Sequence, residues 1–434
     1  MSEQNHILKI GTVLATIAGE LLTILSYIGK GGQGEVYLCE MRGRQQAFKL
    51  FFPGAATPTQ LAQLEVNIQD GSPSSALVFP KAWVPGKSGN PIGYVMEYVG
   101  SDYVTLADRV NAKCDLTFLP LATACISLTH AMRLLHASGK VYGDCNLTNI
   151  MIQTRPLTGA VKIIDPDNII PPSVVSGLVY TPNMAAPEIL REKVLPNLET
   201  DLFSLAKAIF LMILGADPYV GKQFDTAGTL TLDKQFELYG RTARFVFDPV
   251  NRENRPDSKG KAALIRNWKG LPGWMKKVFI EAFCEGHSQP HKRIRESQWL
   301  DHLIRLRDSI SICKNCSAQV FLDNGQPARC WNCTESVNAR RILKTERSEI
   351  VVNSGTKVFP HHVDKHSRHE VKKPVAEVVR HPRDKRVLCL KNLTEKRWKV
   401  KQTDGALKEV EKGGAASLAR GTQIIIGDEV AEIK

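Results

Sequence analysis

Up to about Gly100, apolar and polar positions alternate in short runs such as Gly34 to Glu40 and Gln46 to Phe51, with glycine and proline between them. A period of two with this punctuation predicts a small, mostly β region. Beyond it the period lengthens. Leu121 to His136 carries apolar residues at helical spacing, Asp201 to Leu214 is apolar nearly all round and predicts a buried helix, and Leu271 to Cys284 and Ser297 to Leu306 continue the helical pattern. The Gly, Asp, Asn and Arg content of Gly221 to Lys261 predicts a long surface insertion. Four strand-like runs, VLCLKNL, RWKVKQ, LKEVEKG and TQIIIG, end the chain and are separated by turns such as Asp404-Gly405 and Gly413-Gly414.

A chain of 434 residues predicts two or three folded units. The stretches Val13 to Ile28 and Leu202 to Leu214 are interrupted by Glu20 and Lys207, so neither offers the ~20 clean apolar residues of a membrane span. The start, MSEQNH, lacks the basic residues and cleavage site of a signal peptide. A cytoplasmic chain with no membrane association is expected, its ten cysteines serving as thiols or metal ligands. The net charge of +13 is concentrated: Ser336 to Lys401 holds 18 Lys or Arg against 7 Asp or Glu. Nucleic acid or an acidic protein is a candidate partner for that stretch, but its sparse aromatics, Phe359 and Trp398, do not support sequence-specific reading of bases.

Candidate chemistry begins at Gly29. Gly29, Gly31, Gly32 and Gly34, with Val36, form a G-x-G-x-x-G pattern followed by the strand-like GEVYLCE. A strand after the glycines, where a dinucleotide fingerprint would have a helix, predicts a hairpin flap over nucleotide phosphates. Lys49 lies twelve residues past Tyr37 in an apolar strand and is the candidate phosphate-gripping lysine; Glu65, on the next helical stretch, is its candidate carboxylate partner. Tyr94 to Val99 is an apolar strand running into Gly100, and backbone groups near Glu97 and Val99 are candidates to meet an adenine. Asp144 and Asn149, in Asp-x4-Asn spacing, would place a proton acceptor beside an attacking hydroxyl and an amide oxygen on a metal. Asp165, at the end of the strand VKII, would supply the bridging carboxylate.

The order and gaps of these elements, with Tyr180-Thr-Pro-Asn-Met-Ala-Ala-Pro-Glu188, the helix opening at Asp201, and Arg293 ahead of Trp299, resemble the bacterial eukaryotic-like (Hanks-type) serine/threonine protein kinases over residues 20 to 306. The resemblance implies a bilobal α+β protein-kinase fold and transfer of the ATP γ-phosphate with Mg²⁺ or Mn²⁺. It assigns catalysis to Asp144, Lys49, Asn149 and Asp165, and pairs Arg293 with Glu188. YGDCNLTNI, IIDPDN and the cysteine-paired segment downstream narrow the likeness to kinases encoded beside von Willebrand factor A and metal-dependent phosphatase proteins, which it implies as partners besides the protein substrate. Tyr142-Gly143 stands where these kinases have His-Arg, Asn146 where they have Lys, and Pro166-Asp167 where they have Phe-Gly. Pro166 is expected to hold Asp165 in extended backbone, and Asp167 is read either as a second metal contact or as a solvated turn residue. A weakly catalytic scaffold and a small-molecule kinase are the rival readings.

Cys313-x2-Cys316 and Cys330-x2-Cys333, 13 residues apart, predict a closed four-thiolate Zn²⁺ ribbon. His361, His362, His366, His369 and His381 suggest a second metal site as one reading, but their irregular spacing favours solvated histidines. The organisation read from the chain is a kinase domain over 1–306, with its first lobe to about 100 and its second over 101–306. A zinc ribbon over 307–336, a basic linker over 337–385 and a small all-β module over 386–434 follow. The last resembles a small forkhead-associated-like or other β-sandwich module.

Overall fold

A computed structural model describes residues 6–174, 180–192, 194–257, 260–427 and 429–434. The chain forms two compact units, one comprising Met1–Leu116, Thr123–Asp257 and Ile280–Glu296, the other Thr117–Ala122, Ser258–Phe279 and Ser297–Lys434.

The first unit opens with an antiparallel sheet. Its strands are β1 (Val13–Ala15), β2 (Leu21–Lys30), β3 (Gly34–Met41), β4 (Arg44–Phe51), β5 (Pro80–Pro85) and β6 (Pro91–Glu97), in the order β1-β2-β3-β4-β6-β5. Alternation along β4 decides where its side chains go. Phe48 joins Leu22, Ile24, Tyr37 and Val95 in a core on one face, while Ala47 faces the other way and packs with Leu64, Trp83 and Tyr94. Leu64 belongs to helix α1 (Pro58–Asp70), which starts from a reciprocal Thr57–Gln60 capping box with Pro58 in its first turn. Lys49 shares the Ala47 face, in register with Val36 on β3 and Tyr94 on β6, so pleating alone directs the lysine toward α1.

The first unit also holds a three-stranded sheet, β7 (Tyr103–Thr105), β8 (Ile150–Gln153) and β9 (Val161–Ile163), and helices. Of these, α2 is Leu106–Val110, α3, which begins in the second unit, is Phe118–Ala137, α4 is Pro187–Glu192 and α5 is Leu198–Leu214. In α5 every residue from Thr200 to Leu214 is buried, as its all-round apolar pattern predicts. It runs from an Asn197 cap to Gly215, whose φ of 75° ends the helix. Helix α3 is long and apolar enough to cross a membrane by composition, but it is mostly buried within the protein. The stretch 221–261 is largely at the surface, as its composition predicts, but it is not a bare loop. It carries short helices at Lys222–Asp225 and Leu232–Phe236, and buries Phe245, Val246 and Asn254, whose side-chain amide donates to the carbonyls of Tyr219 and Arg244.

In the second unit the cysteine-paired segment is built from two hairpins, β10 (Ile310–Ile312) with β11 (Gln319–Phe321) and β12 (Ala328–Arg329) with β13 (Ser336–Val337). Besides helices such as Ala262–Gly270, the unit holds two antiparallel sheets around one core that includes Leu343, Val378, Leu390, Trp398 and Ile424. The larger has the order β15-β14-β23-β22-β19-β20, from β14 (Ile342–Lys344), β15 (Glu349–Val351), β19 (Trp398–Lys401), β20 (Leu407–Val410), β22 (Gln423–Ile426) and β23 (Glu429–Ile433). The smaller has the order β16-β17-β18-β21, from β16 (Lys357–Val358), β17 (Ala376–Arg380), β18 (Leu388–Asn392) and β21 (Ala415–Ser417).

This overturns the basic linker over 337–385 and the module boundary at 386. Strand β14 pairs with the last strand, β23, and β17 with β18, so the β module runs from Ile342 to the end of the described chain. The two compact units divide the chain differently from a boundary at 306, since Ser258–Phe279 groups with Ser297–Lys434. The histidines are also not uniformly solvated. His362 is fully buried between the Phe359 amide and Asp308 (2.8 Å), and His369 is buried against Asp301 (2.7 Å).

Candidate active site

The hairpin joining β2 and β3 is closed by the Gly31 amide donating to the Gly34 carbonyl. Gly34 is required by close approach, since a Cβ there would sit 2.0 Å from the Leu50 carbonyl oxygen. At Gly29, Gly31 and Gly32 a Cβ would meet no protein atom, so that rim of the hairpin is bare backbone. Val36 is the register partner of Lys49.

Lys49 is 7% exposed and binds two carboxylates, Asp165 at 2.6 Å and Asp167. Burial pulls its ammonium down, but the charges of Asp167 and Asp165 outweigh it and raise the lysine's pKa above the ordinary range. Glu65 is not its partner. That carboxylate accepts from the Trp83 indole and from Gln69 one turn along α1 (2.9 Å). Asp167 is neither solvated nor a turn decoration: it is 3% exposed and also accepts from the Tyr94 hydroxyl at 2.7 Å. Asp165 adopts left-handed backbone (φ 65°, ψ 69°) where extended backbone was expected; proline excludes αR before it, and the conformation turns the carboxylate to Lys49.

Asp144 lies in the loop before β8, half-buried, and accepts from the Thr181 amide (3.2 Å) and hydroxyl (3.4 Å). Burial raises its pKa, against the Thr181 hydrogen bonds, which favours a proton acceptor. Asn146 donates to the same Thr181 hydroxyl at 3.0 Å. The Asn149 carbonyl accepts from the Ile164 amide, tying the loop to the end of β9 next to Asp165. The Glu97 side chain pairs with Lys162.

Sequence reading missed what holds this loop. Asp201, at the start of α5, accepts from the amides of Tyr142 (2.6 Å) and Gly143 (3.2 Å), and Gly143 has a φ of 74° that lets the chain turn onto it. His136 on α3 sits between Asp201 (2.9 Å) and Glu296. A polar residue opening an otherwise apolar helix was the available signal for Asp201; nothing local marked His136. Arg293 grips Glu188 bidentately at 2.6 and 2.8 Å, as the resemblance implies, and both are buried.

The His136 pair makes stability pH-dependent. Burial alone would lower its pKa; hydrogen bonds to Asp201 and Glu296 outweigh that and raise it from 6.5 to about 9. A raised folded value contributes stability that is complete below 6.5 and is lost as pH rises through 9. The contribution is on the order of 3 kcal/mol. Thermal melting across pH 6 to 10 should show this decline, and His136→Gln should flatten it; a wild type whose melting temperature ignores that range would rule it out.

Elsewhere, the Sγ atoms of Cys313, Cys316, Cys330 and Cys333 lie within 4.8 Å of one another. The two knuckles repeat one geometry: Ser317 and Thr334 have φ of 61° and 63°, and their amides donate to Cys313 and Cys330 carbonyls at 2.9 Å.

The comparisons agree with this geometry. Protein kinase C delta type of Rattus norvegicus is 24% identical over 225 residues, covering 48% of this chain and 31% of that one. Calcium/calmodulin-dependent protein kinase type IV of Mus musculus is 23% identical over 210 residues, covering 48% and 44%. Serine/threonine-protein kinase CLA4 of Candida albicans is 26% identical over 215 residues, covering 47% and 21%. The chain thus spans less than half the length of these relatives. The protein kinase domain family matches residues 22–302, through the glycine hairpin, Lys49, the Asp144 loop and the helix bearing Asp201, and the chain belongs to that family.

Proposed function

We propose that this chain is an ATP- and Mg²⁺-dependent protein kinase that phosphorylates serine or threonine on a partner protein or on itself. The observation that carries the reading is the meeting of Lys49 and Asp165 at 2.6 Å, with the loop that bears Asp144 and Asn149 tied next to Asp165 by the Ile164 amide donating to the Asn149 carbonyl. Lys49 would grip ATP phosphates; Asp165 and Asn149 would hold the metal, which supplies charge neutralisation of the transferring phosphoryl. Asp144 orients the acceptor hydroxyl and takes its proton. Asn146 offers that region a neutral amide where a lysine's charge would stand, which favours a slow enzyme. The buried Glu188–Arg293 pair fixes the segment after Thr181, a feature suited to a protein substrate rather than a metabolite.

Incubation of the purified chain with labelled ATP, Mg²⁺ and candidate proteins should yield phosphoserine or phosphothreonine by mass spectrometry. ATP binding without incorporation would favour the scaffold, and label appearing only in small molecules would favour a metabolite kinase. The cysteine cluster is assigned to structural Zn²⁺ and the unit that carries it to partner binding. A metal-dependent phosphatase and a von Willebrand factor A protein are the proposed partners on the strength of the motif likeness alone, and the cytoplasm is the proposed location.

Activation should not require phosphorylation of the segment before Thr181. Gly143 offers no guanidinium to hold a phosphate, and Lys162 is engaged by Glu97 and the Ser75 carbonyl. Ser173 donates its amide to Pro196, and Ser176 lies outside the described residues. A phosphate on Thr181 would set negative charge against Asp144. Phosphatase treatment, and separately Ser173→Ala and Ser176→Ala, should change the initial rate by less than about twofold; a tenfold fall would sink the idea.

A further inference from the structure

We propose that Asp167, and not a carboxylate on α1, is the residue that positions Lys49 for phosphate binding, with the Tyr94 hydroxyl fixing Asp167 in turn. The inference rests on the reading of Lys49 as the phosphate-gripping lysine. Three groups meet in one buried place. Asp167 gives one oxygen to the Lys49 ammonium and the other to the Tyr94 hydroxyl, while Tyr94 is the cross-strand register neighbour of Lys49. Lysine, tyrosine and aspartate therefore form a closed set whose geometry is fixed by pairing of β4 with β6 and by the short turn Pro166–Asn168.

The other two carboxylates near the lysine are unsuited to that task. Glu65 is committed to the Trp83 indole and to Gln69. Asp165 does contact Lys49, but its side chain is 32% exposed and it is the carboxylate assigned to the metal, so its hold on the lysine competes with that role. The Asp167 side chain is 1% exposed. Reaching a solvent-borne metal would require it to abandon both the ammonium and the phenol, leaving each buried and unpaired. The position of Asp167 as the second residue after Asp165 explains why the chain can use it. A glycine there would leave Lys49 with the metal carboxylate alone, whereas the aspartate adds a dedicated partner.

A consequence is that the lysine's position does not depend on the angle of α1. The helix is itself pinned by the buried Asn67 amide donating to the Ile169 carbonyl at 3.0 Å, next to the same turn. Swinging α1 is therefore not the device that arms this site.

Two measurements test the assignment. In steady-state transfer at saturating Mg·ATP, Asp167→Asn should lower kcat about tenfold or more with the Mg²⁺ half-saturation unchanged. Glu65→Gln should cost at least about fivefold less than Asp167→Asn, and Tyr94→Phe should fall between them. In thermal melting, which needs no activity, the double variant Lys49→Met/Asp167→Asn should lose less than the sum of its single variants, whereas Lys49→Met/Glu65→Gln should be additive. Recovery of kcat in Asp167→Asn by excess Mg²⁺ would make Asp167 a metal ligand and overturn the proposal. So would coupling of Lys49 to Glu65 in place of Asp167. If the wild type transfers no phosphate but the melting cycle couples Lys49 to Asp167, the pairing stands and the kinase reading falls.

Discussion

Asp165→Asn should reduce phosphate transfer on the order of a thousandfold, about 4 kcal/mol of transition-state stabilisation, while the protein stays folded. The half-exposed position of Asp165 is what separates the two effects. Its carboxylate can be replaced by an amide of the same size without stranding a buried charge, because Lys49 retains Asp167. Lys49→Met should abolish transfer to a similar degree, but it leaves Asp167 buried beside only the Tyr94 hydroxyl. Removing one member of a buried ion pair typically costs about 3–5 kcal/mol, partly avoided if the carboxyl protonates. Burial already raises the Asp167 pKa, against the pull of Lys49, so protonation is the expected escape. Loss of turnover in Asp165→Asn with an unchanged melting temperature is therefore the clean result. If it kept wild-type turnover, Asp165 would not be the metal carboxylate and the kinase assignment of this loop would fail.

The residues that carry the proposed chemistry were legible because their spacing is set by backbone geometry. A hairpin of fixed length and strand pairing place Val36, Lys49 and Tyr94 side by side whatever surrounds them. Asp144, Asn149 and Asp165 likewise flank short strands β8 and β9. The partner of Lys49 was not legible in this way. Choosing between Glu65 and Asp167 requires knowing which face of α1 meets Trp83 and how the backbone turns at Asp165, and neither has a local signature. Asp167 resembled a turn residue in sequence, since Pro-Asp-Asn is ordinary turn chemistry.

The β module shows a second kind of blindness. Strands β14 and β16 are three and two residues long, too short for alternation to register, and sit within a stretch rich in Lys, Arg and His. Charge made 337–385 look like a linker. Yet Leu343, Val358, Ala376 and Val378 from that stretch point into the same core as Trp398 and Ile424, leaving the basic groups outside. In 221–261 the Gly, Asp and Asn content hid the buried part. Asn254 is buried there to satisfy backbone carbonyls, and a Cβ on Gly221 would lie 2.1 Å from the Asn254 carbonyl oxygen. Composition cannot separate such internal brackets from a solvated loop.

The purified chain should carry one equivalent of Zn²⁺, and Cys313→Ser combined with Cys330→Ser should release it and unfold the two hairpins. The four sulfurs fit the ion: Cys313 and Cys333 are 3.6 Å apart, and Cys316 and Cys330 3.5 Å. A tetrahedron with Zn–S bonds of about 2.3 Å has edges of about 3.8 Å, so little adjustment is needed. The hairpins themselves are short. Strands β10 to β13 are two or three residues each, and the core beneath them is Val320, Leu322, Val337 and Val351 with the cysteines themselves. Two-stranded hairpins of that size are marginal in water. Structural zinc supplies ~10 kcal/mol or more of apparent binding energy, enough to decide whether such a segment folds. Uptake must also displace protons. Hydrogen bonds from the Ala318 amide and the Asn332 side chain push Cys316 down to about 6, whereas burial pushes Cys330 up to about 11. Acidification should therefore release the metal as thiolates are protonated. Metal analysis of the purified chain, with hydrogen exchange across residues 310–337 before and after chelation, checks both expectations. A metal-free wild type fully protected over that segment would refute the assignment.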